Sequence, residues 1–184
     1  MEKKDQIINA AMRLLTEKGV QATPMSAIAK AAGTGMGTIY NYFSTKEELI
    51  NAIYLYIKNL EVQFITKKTV DSSLKIKFLD YYKAFIDFNV QYPECFAFMD
   101  QMQNSPIISC ITKDKGKAEF LSIIELIEKG QQEGIIKKMT IQAVLQFLGG
   151  TMTAYVRWML SIEESEREKH LDQQLRMVWD AIKE

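Results

Sequence analysis

The chain has 184 residues, with 23 Lys and Arg balanced by 23 Asp and Glu, so its formal net charge is zero and its pI is about 6.6. With 47% hydrophobic residues it can bury a core as one or two small domains, and the charge balance excludes a chain that is basic throughout. Nine glycines and three prolines leave little room for long loops, which points to a mostly helical protein.

The opening Met1–Gln6 is charged and no apolar stretch of the right length follows, so no secretory leader is expected. The longest apolar region, Val144–Ile162, carries Gln146, Arg157 and two glycines, a poor membrane span. Cys95 and Cys110 are too few for a disulfide framework and have no His, Cys or acid at ligand spacing. Both read as buried small hydrophobes of a reduced cytoplasm, with no metal and no cofactor.

In chain order, Ile8, Ala11 and Leu15 share a helical face, widened by Ile7 and Leu14, and Gly19 stops that helix. A second helix starts at Thr23-Pro24, with Thr23 as cap and Pro24 at its first position. Met25, Ile28, Ala29 and Ala32 form its buried stripe and Gly33 ends it. A short helix spans roughly Gly35 to Phe43. Another opens in "STKEEL", with Ser44 as cap and Glu47 completing a capping box, and runs to about Lys67. Ser72 or Ser73 opens the next, which Pro93 stops. A short helix follows, then one from after Pro106 to Gly130–Gly134, and finally Ile141–Ile162 and Glu164–Ile182. No strand signal or internal repeat interrupts the pattern.

Within this series, "AAGTGMGTIYNYF" places glycines at 33, 35 and 37. A nucleotide-binding loop needs a strand before such glycines, but the helical segment "MSAIAKAA" precedes them. Two short helices around a glycine turn, followed by a capped long helix, suit a helix-turn-helix, with Gly33 as the left-handed residue of the turn. In the second short helix Ile39 and Phe43 face the core, while Gly37, Thr38 and Asn41 point outward between Tyr40 and Tyr42. Such groups reach phosphates and base edges in a major groove. Spacing alone weighs this reading evenly against a small three-helix bundle. The first 60 residues hold seven Lys and Arg against five acids, a skew of the sign DNA binding needs.

Residues 4 to 50 resemble the DNA-binding domain of the TetR family of transcriptional regulators, of the AcrR-like kind. The likeness rests on the apolar helix ending in Gly, the Thr before the second helix, and the runs "IAKAAG", "GTIYNYF" and "KEEL". The resemblance implies an all-α homodimer, with a three-helix helix-turn-helix domain at residues 1–50 and a helical ligand-binding and dimerisation domain at 51–184. It implies a cytoplasmic repressor, not an enzyme, that leaves a palindromic operator in double-stranded DNA when a small molecule binds. Gly37, Thr38, Tyr40 and Tyr42 match recognition-helix positions and Lys46 a phosphate contact. Thr23, Thr34, Gly35, Met36 and Asn41 complete the expected DNA-binding set. Met36 departs from the family, which has Lys or another polar group there, so a contact is either missing or replaced by an apolar one to a thymine methyl.

No motif as specific follows. Aromatic and methionine residues concentrate between Phe78 and Met102, mostly as core. As a group, Tyr81, Phe85, Phe88, Phe96, Met99 and Met102, with Tyr155, are the candidate lining for an apolar or amphipathic effector. Val144, Leu148, Thr151 and Tyr155 on one C-terminal helix, and Leu171, Leu175, Val178 and Ile182 on the last, form stripes suited to an isologous four-helix dimer interface. The alternative is that these stripes pack within one chain. His170 lies in a charged run and carries no catalytic or metal role. The competing functional reading is a helical interaction module that does not bind DNA.

Overall fold

The structure, a computed structural model, describes residues 2–68, 72–118 and 121–184. Among these residues lie ten helices: α1 (Lys3–Lys18), α2 (Met25–Ala31), α3 (Met36–Tyr42), α4 (Lys46–Lys68), α5 (Leu74–Gln91), α6 (Pro93–Met102), α7 (Cys110–Ala118), α8 (Leu121–Gln132), α9 (Ile141–Ser161) and α10 (Glu164–Ile182). The packing divides them into two compact units. One holds residues 1–59 and 93–117, the other residues 60–92 and 118–184. Helix α4 contributes its first half to one unit and its last turns to the other.

The first unit is built on α1. Its apolar residues recur at helical spacing, and Ile7, Ile8, Ala11 and Leu15 are almost fully buried. The helix α6 packs on α1, as does α2, which in turn meets α3. Gly33 ends α2 at φ +60°. The N–H of Thr34 donates to the Ala29 carbonyl at 3.0 Å and that of Gly33 to Lys30 at 3.2 Å. These two bonds form a Schellman closure, which requires the left-handed conformation glycine adopts without strain. The expected helix from Pro106 to Gly130–Gly134 is instead two helices, α7 and α8, and its residues 119 and 120 lie outside the described ones. The start is delayed because Asn51 pins the preceding loop: its Nδ2 donates to the Ile107 carbonyl at 2.8 Å and its Oδ1 accepts the Ser109 N–H at 3.0 Å. Ser109 then caps α7 by accepting the Thr112 N–H at 3.1 Å.

The second unit packs α5, α8, α9 and α10 together. Ser73 caps α5 and Thr140 caps α9, each hydroxyl accepting an N–H three residues on. Tyr82, 1% exposed, joins three helices. Its hydroxyl donates to Thr151 Oγ1 at 3.1 Å and accepts from Gln174 Nε2 at 2.8 Å. A second aromatic group forms where Phe64, Phe88 and Tyr92 meet with ring centroids 5.1–6.2 Å apart. One feature had no signal in the sequence: an isolated antiparallel bridge between Ile136 and Lys183 ties the end of α10 to the segment after α8.

Cys95 is buried, as expected, but Cys110 is exposed at the start of α7. His170 is not simply solvated, since its ring stands 4.5 Å from that of Trp158. Among the described residues no helix is long and apolar enough to cross a membrane.

Replacing Tyr82 by Phe strips Thr151 and Gln174 of a shared partner inside the core. Unfolding by urea should show a loss of about 1–3 kcal/mol, the usual cost of buried polar groups left unsatisfied. An unchanged midpoint would show that the node does not contribute.

Candidate nucleic-acid interface

Two buried side chains set the position of α3. Ile39 has 0% exposure and Phe43 2%, and burying each contributes about 1.5–3 kcal/mol. At 100° per residue, Ile39 facing inward turns Gly37 and Asn41 directly outward, with Tyr40 and Met36 on one flank and Thr38 and Tyr42 on the other. The exposures agree: Met36 37%, Tyr40 50% and Tyr42 43%. Gly35, Gly37 and Asn41 are likewise exposed, and Thr34 and Thr38 half-buried. A Cβ built at Gly35 or Gly37 meets no atom within 4 Å, and neither glycine has a positive φ. The turn therefore does not need glycine at either position, and what their absence of side chain leaves is an unobstructed backbone on the open face.

Thr23 departs from its expected role. It is fully buried, and its hydroxyl donates to the Gly19 carbonyl at 2.8 Å, with Leu14 at 3.2 Å. It does not cap α2, whose N-cap is Pro24, and its side chain is not available to DNA. Lys46 is half-buried, and its ammonium donates to the carbonyls of Val20 at 2.7 Å and Thr23 at 3.1 Å. Two of its three donors are thus spent on the turn between α1 and α2.

The capping residues of α4 lie one position later than expected. Thr45, not Ser44, accepts the N–H three residues on, from Glu48 at 3.0 Å. Glu48, not Glu47, reaches back, accepting from the Ser44 hydroxyl at 2.6 Å and its N–H at 2.8 Å. The hydroxyl bond first, and the backbone bond after it, hold the Glu48 carboxyl below its ordinary 4.5. A depressed carboxylate stabilises the fold above the unfolded-state value and loses that contribution as pH falls through the folded-state one. Glu48→Gln should therefore lower the melting temperature at neutral pH, and the gap to the parent should close as pH drops below 4.5. A gap independent of pH would mean that the charge of Glu48 is not what stabilises the start of α4.

The expected effector residues divide between the two units. Phe96, Met99 and Met102 are buried in the first unit, on α6, whereas Tyr81, Phe85 and Phe88 belong to α5 in the second. The second unit carries an open groove of about 800 Å³ lined from α4, α5, α9 and α10, and of the expected effector residues it includes Tyr155 alone. Sequence pattern missed it because its lining is mixed, with Lys68, Asp87 and Arg167 beside Ile86 and Met159.

The expected dimer stripe turns inward. Val144, Leu148, Tyr155, Val178 and Ile182 are all 5% exposed or less, Leu171 and Leu175 are half-buried, and Thr151 is bonded to Tyr82. Val144, Leu148, Tyr155, Val178 and Ile182 are core of their own chain, and Leu171 and Leu175 are partly covered by it. On α9 and α10 the exposed large apolar residues are Phe147 at 39%, Trp158 at 44% and Met177 at 60%. Phe147 and Trp158 lie three helical turns apart on one face of α9, with exposed Gly150 and Ala154 between them.

Residues 7–53 match the family model described as bacterial regulatory proteins of the tetR family. An uncharacterized HTH-type transcriptional regulator of Bacillus subtilis, YhgD, is 43% identical over 54 residues, which span 29% of this chain and 28% of that relative. Over the whole chain the fold is that of a tetR family transcription regulator from Shewanella sp. PV-4, with a TM-score of 0.93, 24% identity and 100% of both chains covered. The transcriptional regulator FadR from Bacillus subtilis, solved in complex with stearoyl-CoA, superposes with a TM-score of 0.78 at 21% identity, covering 95% of this chain and 96% of that one. Residues 7–53 thus match the tetR family model in sequence, and the chain as a whole shares its fold with solved tetR family regulators.

Proposed function

We propose that the protein is a transcriptional regulator that binds an operator in double-stranded DNA as a homodimer and leaves it when an apolar or amphipathic small molecule binds. The observation that carries the reading is the exposed face of α3, where Gly37 and Asn41 stand between Tyr40 and Thr38 on a helix fixed by buried Ile39. Asn reads adenine in a major groove, Tyr hydroxyls reach phosphates, and an exposed Met36 suits a thymine methyl. In this reading residues 1–50 bind DNA and residues 51–184 bind effector and partner subunit.

Helix α4 links the two activities, since Lys46 at its start holds the α1–α2 turn and Lys68 at its end lines the groove. Effector binding at that end would move a single continuous helix. Two half-sites must be roughly 34–36 Å apart, or a multiple, so a small change in the spacing of two recognition helices weakens binding. That FadR was solved with stearoyl-CoA supports an effector with an apolar part. The paired subunit is placed on the face of Phe147, Trp158 and Met177, because the inward stripe is already used.

Gly37→Ala separates DNA contact from folding. The added methyl meets nothing in the free protein and replaces a glycine in the first turn of α3, so stability should be unchanged or raised by at most about 1 kcal/mol. Affinity for genomic fragments selected by the parent protein should nevertheless fall, because the backbone can no longer approach phosphate. Unchanged affinity would take α3 out of the interface. Met177→Glu places a charge on the proposed subunit interface at a residue that is 60% exposed in the single chain. Sedimentation should show folded monomers, and a persistent dimer would locate the interface elsewhere.

A further inference from the structure

Among the described residues, two buried side-chain atoms have no hydrogen-bond partner, Tyr155 Oη and Arg167 Nε, and both residues line the same groove. Tyr155 is 5% exposed, and an unsatisfied buried hydroxyl normally destabilises a fold enough to be rare. Its conservative alternative, Phe, would fill the same space without that cost. Both orphan groups are donors. Burial, and after it the neighbouring Tyr82, push the Tyr155 phenol up to about 12, so it keeps its proton at ordinary pH.

The rest of the lining restricts what these donors can meet. Ile86, Val90, Met159 and Leu171 supply apolar surface. The charged residues cancel, with Lys68, Lys83 and Arg167 opposed by Asp87, Glu164 and Asp172. Lys68 and Lys83 both bond to Asp87, at 3.1 and 2.7 Å. There is no net field to select a charged ligand, and an open groove of about 800 Å³ is within the range of small-molecule sites, roughly 300–1,000 Å³.

We infer that this groove binds an apolar molecule ending in an uncharged carbonyl, whose oxygen accepts from Tyr155 Oη and Arg167 Nε. Only the regulatory consequence of this binding rests on the proposed effector-controlled function. The apolar body lies along Ile86, Val90, Met159 and Leu171, and the carbonyl oxygen, with two lone pairs, accommodates both donors.

Calorimetric titration of the full-length protein without DNA tests the site, using methyl nonyl ketone and, as the charged counterpart, undecanoate. The ketone should bind more tightly than the carboxylate. Tyr155→Phe should weaken it about two- to tenfold, the usual worth of one hydrogen bond, while melting at a temperature no lower than the parent's. Arg167→Lys keeps the charge but loses the Nε donor, and should weaken the ketone similarly. Equal ketone affinity in Tyr155→Phe, tighter binding of undecanoate, or no binding of the ketone would each overturn the inference. Displacement of selected DNA by the ketone is measured separately. A ketone that binds through Tyr155 but leaves DNA bound would preserve the site and remove its role as effector site.

Discussion

The Lys46 ammonium is the contact on which the helix-turn-helix depends. It sits at the start of α4 and holds the carbonyls of Val20 and Thr23, while the Thr23 hydroxyl bonds back to the end of α1. Three helices are thereby fixed at one point. Both carbonyls lie in or beside the short turn between α1 and α2, and a charged donor to a partly buried carbonyl makes a stronger bond than a neutral one. Once α2 is set, the Schellman closure at Gly33 fixes its exit, and burial of Ile39 rotates α3 about its own axis. The outward face of α3 is therefore a consequence of contacts none of which touch it. That is what a reader of DNA requires, because side chains that must contact bases cannot also be spent on holding their helix.

The second unit solves a different problem. Its helices are apolar on broad faces, and apolar contact alone specifies register weakly. The Tyr82 hydroxyl, bonded to Thr151 and Gln174, favours the one register of α5, α9 and α10 in which this buried group is satisfied. The same buried arrangement turns Phe147, Trp158 and Met177 outward. Tyr155, one turn beyond Thr151 on α9, lines the groove and its buried hydroxyl has no such partner, so the two buried tyrosines differ in that only the hydroxyl of Tyr82 is satisfied within the fold.

Helix existence and order, apart from the division into α7 and α8, were legible in the sequence because apolar periodicity, Gly19, Gly33 and Pro93 mark elements by local physics. The face of α3 was legible for the same reason: with one residue buried, 3.6-residue geometry places the rest. What failed needed long-range partners. Thr23 satisfies the composition of an N-cap, but the carbonyls of Gly19 and Leu14 compete for its hydroxyl and win. In "STKEEL" either Ser44 with Glu47 or Thr45 with Glu48 fits a capping box, and only the exit angle from Phe43 decides between them. The stripe from Val144 to Ile182 was correctly apolar, but pattern cannot tell a helix face buried in its own chain from one buried in another. The groove was invisible because its lining comes from four helices and alternates charge with aliphatic groups, so no segment carries its signature.

The central claim is that the outward face of α3, and not another surface of this helical protein, meets DNA. Amide hydrogen exchange of the free protein and of its complex with selected genomic DNA measures this residue by residue. The account predicts that the added protection is concentrated on residues 34–42 and the start of α4, with that of α6 and α8 unchanged. Protection confined to the second unit, or a complex in which residues 34–42 exchange as fast as in the free protein, would contradict it.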